Sequence, residues 1–131
     1  DKIKLNITCV SMGNPHCVVF VEDINFDEFI ETGKVLENHK MFPERINAEF
    51  IKVIDKNNIR MRVWERGVGE TLACGTGACA SVVACILNSK TNRRVNVELT
   101  GGNLDINWNE ADNCVYISGP AEFVFNGEWQ L

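Results

Sequence analysis

The segment Thr76 to Asn88 contains Ala78, Cys79, Ala80, Val82, Val83, Ala84, Cys85, Ile86 and Leu87 and no charged residue. Its composition predicts a helix that is apolar on nearly every side, which is stable only if other elements cover it. The longest largely apolar run, Ala78 to Leu87, has ten residues and contains Ser81, well short of the ~20 a membrane span needs. The cover must therefore come from the rest of the chain, and short strands are what the rest supplies.

Lys2 to Val10 alternates, with Ile3, Leu5, Ile7 and Cys9 on one face and Lys4, Asn6 and Thr8 on the other, as in a half-buried strand. Ser11 to His16 is a loop of turn residues, and Cys17 to Val21 is a buried strand. Phe26 to Asn38 has helical spacing of Phe26, Phe29, Ile30 and Leu36 with early acids, although Gly33 weakens it. Ala48 to Asp55 and Ile59 to Trp64 flank Lys56-Asn57-Asn58 as a hairpin. Gly67 to Gly75 is a Gly-rich connection. Beyond the apolar helix come Val95 to Leu99 and Leu104 to Trp108 around Gly101-Gly102. Cys114 to Ile117 and Glu122 to Phe125 follow, separated by Gly119-Pro120. The expected fold is an α+β single domain over residues 1–131: a mixed, curled sheet of about eight short strands around a central helix, plus one further helix.

With 131 residues the chain is long enough to build a core. Its 13 Lys+Arg against 18 Asp+Glu give a net charge of −5, which argues against nucleic acid or an anionic membrane as partner. Six cysteines form no Cys-x-x-Cys pair, so neither zinc nor a disulfide framework is expected. Free thiols in a reducing cytoplasm fit better. The opening Asp1-Lys2-Ile3-Lys4 has no signal-peptide character, and a first residue other than Met suggests an excised chain.

One thiol stands apart. In Ala73-Cys74-Gly75-Thr76-Gly77-Ala78-Cys79-Ala80, Cys74 precedes a Gly-rich helix start. First-turn N–H groups are unpaired and can hold a carboxylate, and the same field is expected to lower the thiol's pKa. An equally good reading of the spacing is a tight helix start beside an incidental cysteine. Glu65-Arg66 ends a predicted strand, where Arg66 can clamp a carboxylate and Glu65 accept an ammonium, or where the two form a surface ion pair. Gly13-Asn14-Pro15-His16 is first of all a turn, and Asn47 lies at a strand entry.

Together these segments resemble one family. Met12-Gly13-Asn14-Pro15-His16, Phe42-Pro43-Glu44-Arg45-Ile46-Asn47, Arg62-Val63-Trp64-Glu65-Arg66-Gly67 and Gly69 to Ala80 follow the order and spacing of the C-terminal half of diaminopimelate epimerase, through to Ser118-Gly119-Pro120-Ala121. The resemblance implies a cofactor-independent isomerase interconverting LL- and meso-diaminopimelate, on the route to lysine and cell-wall peptide. It also implies two lobes of mixed strands around central helices, with the substrate between them. Cys74 is then one of two catalytic thiols, and His16 supports proton transfer. Gly75 and Thr76 would hold the carboxylate on the reacting carbon through their N–H groups. Asn14, Asn47 and Arg66 would bind the distal carboxylate, and Glu65 the distal ammonium.

The family's second Cys-Gly-x-Gly segment is missing here. The expectation is a C-terminal lobe, inactive alone, whose partner is the N-terminal lobe of the same enzyme. Phe123 to Leu131 would then be an edge open to fraying or to pairing with another copy as a homodimer. Two other classes remain open on the residues: a thiol hydrolase or transferase using Cys74 with His16, and a non-catalytic binding module.

Overall fold

A computed structural model describes residues 4–130. The elements run β1 (Ile7–Ser11), β2 (Pro15–Phe20), α1 (Phe29–Glu37), β3 (Asn47–Val53), β4 (Asn58–Glu65) and β5 (Gly69–Thr71), then α2 (Gly75–Leu87), β6 (Arg94–Leu99), β7 (Gly102–Trp108) and β8 (Val115–Ser118). The strands form one sheet in the order β1-β2-β3-β4-β6-β7-β8, with β5 paired to β4. Pairs β2–β3 and β4–β6 are parallel and the others antiparallel. One edge of β4 is shared: Asn58 to Arg60 bond to β6, and Val63 to Glu65 bond to β5.

The expected fold class holds, and α2 is its centre. It packs against β1, β2 and β3 on one side and against β7 and β8 on the other, so the sheet curls around it. Gly77 through Cys85 are all buried. Val18, Ile51, Met61, Val63, Val95, Val97 and Ile106 form the core with it, and each fully buried aliphatic side chain contributes roughly 1.5–3 kcal/mol. Past the C-cap Asn88, Ser89 turns the chain with a left-handed φ of 56°. Lys90 N–H there donates to Cys85 C=O at 2.8 Å and Ser89 N–H to Ile86 C=O at 2.9 Å, the paired bonds of a Schellman stop.

Helix α1 covers the opposite face, where Cys17, Val19, Phe29, Leu36, Ala48 and Phe50 form a second core. Strands β2 and β3 are buried on both faces, which explains their near-continuous apolar sequence. Gly33 lies against Trp64, and a Cβ there would stand 2.6 Å from the indole Cγ. The residue that weakened the helical reading is thus what lets α1 approach β4.

Four expectations need correction. Strand β1 begins at Ile7, Leu5 and Cys9 are exposed, and Val10 rather than Cys9 reaches the core around α2. The apolar face of this edge strand does reach a core through Ile7, which packs on Cys17 and its neighbours, while Val10 on the other face packs around α2. Residue Ile3 lies outside the described residues. Helix α1 starts at Phe29 rather than Phe26, because Phe26 packs on Phe29 and Phe50 from a preceding turn. The Gly67–Gly75 connection contains β5. Glu122 to Phe125 forms no strand, and Phe123, Val124, Phe125 and Trp129 are exposed. With no neighbour among the described residues to pair its N–H and C=O groups, alternation there has no ladder to join. Leu131 lies outside the described residues.

Candidate active site

The N-terminus of α2 meets the first residues of β2 and β3 and the last of β4, and this junction gathers every residue singled out from the sequence. Cys74 is the N-cap of α2, extended at φ −142° and ψ 111°. Its Sγ accepts the Gly77 N–H at 3.4 Å and lies 3.7 Å from Thr76 Oγ1. Gly75 and Thr76, both exposed, follow in the first turn, where no carbonyl one turn back is available to their N–H groups.

The ionisation of Cys74 departs from expectation. Burial pushes its thiol up, and the nearby Glu65 and Glu49 carboxyls push the same way. The Gly77 N–H and the Thr76 hydroxyl pull it down without prevailing. Burial of the sulfur is the largest of these influences and outweighs the two hydrogen bonds.

His16 is fully buried on β2. Its Nδ1 lies 2.6 Å from Glu49 Oε1 on β3, and its Nε2 lies 3.0 Å from Asn14 Oδ1. Since Asn14 Oδ1 only accepts, Nε2–H donates to it. Asn14 Nδ2 donates in turn to Thr76 Oγ1 at 3.2 Å, which leaves the Thr76 hydroxyl proton free to point at Sγ. Both nitrogens of His16 are thus engaged away from Cys74, and the direct Cys–His pair of a thiol hydrolase is not formed.

Asn47 opens β3 beside His16. Its Nδ2 donates to Pro15 C=O and its Oδ1 accepts the Arg66 N–H, each at 2.9 Å. The Arg66 guanidinium donates to Glu44 C=O at 3.0 Å, and Glu65 accepts the Thr71 hydroxyl at 2.5 Å. Glu65 and Arg66 do not pair with each other among the described residues. Asn47 acts as a brace for the Arg66 backbone, which sequence spacing gave no means to see.

Two participants were missed. Thr71, on β5, orients Glu65. Glu49 is fully buried beneath the first turn of α2. The available signal for Glu49 was a lone acid inside Ala48-Glu49-Phe50-Ile51, a run otherwise apolar. No cluster of three or more metal-ligating side chains occurs among the described residues, and no helix there is long and apolar enough to cross a membrane. Two concavities, of about 410 Å³ beside α1 and about 460 Å³ around Arg60 and Arg62, lie away from Cys74, which sits on an open face.

A curled mixed sheet that wraps one helix and presents a thiol at that helix's N-terminus defines the class. The same fold occurs in phenazine biosynthesis proteins of the PhzF family. That from Bacillus anthracis matches 86% of this chain and 38% of its own with TM-score 0.58 at 22% identity, and that from Enterococcus faecalis matches 81% and 40% with TM-score 0.56 at 14% identity. The family model for diaminopimelate epimerase matches residues 8–124, and the chain belongs to that family. It is 53% identical over 131 residues to the diaminopimelate epimerase of Acetivibrio thermocellus, covering 100% of this chain and 47% of the relative. It is 58% identical over 123 residues to that of Pelotomaculum thermopropionicum, covering 94% and 44%. The chain spans about half the length of the curated relatives it matches.

Proposed function

We propose that this chain is the C-terminal lobe of a two-lobe diaminopimelate epimerase and supplies one of its two catalytic thiols, Cys74. The single observation that carries the reading is Sγ at the N-cap of α2, beside the first-turn amides of Gly75 and Thr76 on an open face. Family membership supports the substrate, and coverage of about half the relatives supports the missing lobe.

Inversion at a carbon bearing a carboxylate needs a base on one face and an acid on the other. A thiolate takes the proton from Cα, and the electron pair of the broken C–H bond delocalises into the adjacent carboxylate. Amides of Gly75 and Thr76 stabilise that charge. A thiol on the opposite face then gives its proton to Cα, leaving the pair with its charges exchanged. No cofactor is needed to close this balance. Arg66, Asn14 and Asn47 bind the distal carboxylate, Asn47 by fixing the Arg66 backbone as well as by its own N–H. Glu65, oriented by Thr71, accepts the distal ammonium. His16 acts at one remove, through Asn14 and Thr76.

The test is Cα deuterium exchange on diaminopimelate by the chain alone and after combination with the N-terminal lobe of a relative. Exchange is expected only in the combination and is expected to fall by about 10²–10⁴-fold in Cys74→Ala. Equal exchange by the isolated chain would refute the half-site reading.

A further inference from the structure

Strands β1 and β2 form the hairpin that delivers Asn14 and His16 to the candidate site, and two cysteines face each other on it. Cys9 on β1 is the register partner of Cys17 on β2. Pro15 has no N–H, so Ser11 and Pro15, paired at the end of the ladder, cannot exchange two bonds. The Met12 N–H donates to Asn14 C=O at 3.1 Å just beyond them, which makes Ser11–Pro15 a non-hydrogen-bonded pair. The register runs without a bulge from there to Ile7 and Val19. Pair types alternate along an antiparallel ladder, so Cys9–Cys17, two steps on, is of the same type. Residues opposed in that way have Cα atoms about 4.5 Å apart with their side chains drawn together, inside the roughly 4.4–6.8 Å that a disulfide spans. No other two cysteines share a register position among the described strands.

The two thiols differ in access. Cys9 is exposed on the edge strand, whereas Cys17 has no exposed surface. Burial pushes Cys9 up and drives Cys17 up to about 12; their mutual contact lowers Cys9 and raises Cys17, as a Cys17 S–H donating to Cys9 Sγ would. We propose that Cys9 and Cys17 are a redox modification site, a dithiol that a small-molecule disulfide of the glutathione type closes to a cross-strand disulfide, with Cys9 reacting first and Cys17 second. The Cys9 thiolate attacks one sulfur of the reagent. The reagent's S–S bond breaks, a mixed disulfide forms on Cys9, and one small thiolate leaves and takes up the proton that Cys9 gave. Cys17 then attacks Cys9 Sγ, and its proton goes to the second small thiol as that leaves. Two protein thiols are oxidised to one disulfide while one small disulfide is reduced to two thiols, so atoms and electrons balance. Solvent does not reach Cys17, but Cys9 is held opposite it, and that placement replaces a chance encounter. Strand β1 pairs only with β2 and can yield to the geometry of the bond. At the short end of the Cα range the bond is strained and readily reduced, which makes the step reversible.

This site is independent of the epimerase reading of Cys74. To test it, the reduced 131-residue chain is incubated with oxidised glutathione, quenched with acid and mapped by mass spectrometry without reduction. A Cys9–Cys17 linkage is expected, with loss of two of the six free thiols and return of both on adding dithiothreitol. The exposed Cys114, which has no register partner, is expected to stop at the glutathione adduct. In Cys17→Ala, Cys9 should stop at the adduct as well. In Cys9→Ser, Cys17 should remain a free thiol, and this exposed substitution keeps the test open if Cys17→Ala does not fold. A parent Cys9 that keeps its glutathione as Cys114 does, or that stays free, overturns the proposal. So does a Cys9–Cys17 linkage no more abundant than links from Cys9 to the other four thiols, or a Cys17 consumed as fast in Cys9→Ser as in the parent.

Discussion

The Glu37 carboxylate on α1 accepts the indole N–H of Trp64 on β4 at 2.7 Å. Its other oxygen accepts the Gly67 amide at 2.8 Å and the Arg45 guanidinium at 2.9 Å. One buried acid thereby ties helix, strand and the turn that follows Glu65-Arg66 into a unit, and so fixes one wall of the candidate site.

The hydrogen bond from Trp64 above all, then those from Gly67 and Arg45, hold the Glu37 carboxyl below the usual carboxylate range against the opposing effect of burial. A folded value below the unfolded one means the stabilisation is present above the unfolded value and is lost as pH falls through the folded one. Glu37→Gln is expected to cost about 1–3 kcal/mol at pH 7, and the difference from the parent should shrink toward pH 3. Urea unfolding at both pH values checks this; a constant gap would show that charge is not involved.

Gly33→Ala places a Cβ 2.6 Å from Trp64 Cγ and 2.8 Å from Cδ2. Alanine gains about 1 kcal/mol in helix propensity, yet overpacking at this contact costs about 1–3 kcal/mol. A net lowering of the melting temperature with altered tryptophan fluorescence is expected. A raised melting temperature would mean that the indole moves aside freely.

Asn47→Ala removes the partners of the Arg66 N–H and the Pro15 carbonyl together. The cost is about 1–3 kcal/mol, and it falls locally on the chain that carries Arg66. Amide exchange at Arg66 should accelerate far more than at Met61 in the middle of β4, a contrast that uniform destabilisation cannot produce.

Thiol reactivity should follow exposure. Cys9 and Cys114 are exposed, Cys74 is half-buried, and Cys17 and Cys85 are buried with their thiols pushed up to about 12 by burial. Timed alkylation of the folded chain is expected to label Cys9 and Cys114 first and Cys74 next, sparing Cys17 and Cys85 until unfolding. Early labelling of Cys17 would contradict the packing of β2 under α1.

Much of the fold was legible because two periods dominate it. The hairpin from β3 to β4 and the pair β6–β7 lie where alternation and the turn residues Lys56-Asn57-Asn58 and Gly101-Gly102 put them. The all-round apolar helix was a demand for cover, and the curled sheet meets it. Alternation overran the start of β1, which begins at Ile7, and failed at Glu122 to Phe125, since a strand is defined by a partner and the local pattern contains none. The residues singled out from the sequence, Asn14, His16, Asn47, Glu65, Arg66 and Cys74, do converge, but their wiring was not legible. Their hydrogen bonds to one another, to Thr71 and to Glu49 arise from register between β2, β3 and β4, which no single segment encodes.

The sequence by itself determined that a thiol begins the most apolar helix of the chain and that short strands must enclose that helix. Only the tertiary structure decided how that thiol behaves. Helix polarity is local and readable from Cys74-Gly75-Thr76-Gly77, whereas desolvation and the proximity of Glu49 and Glu65 depend on what the fold packs around the sulfur. Burial is the largest of these influences, so the thiol expected to be shifted down is pushed up instead.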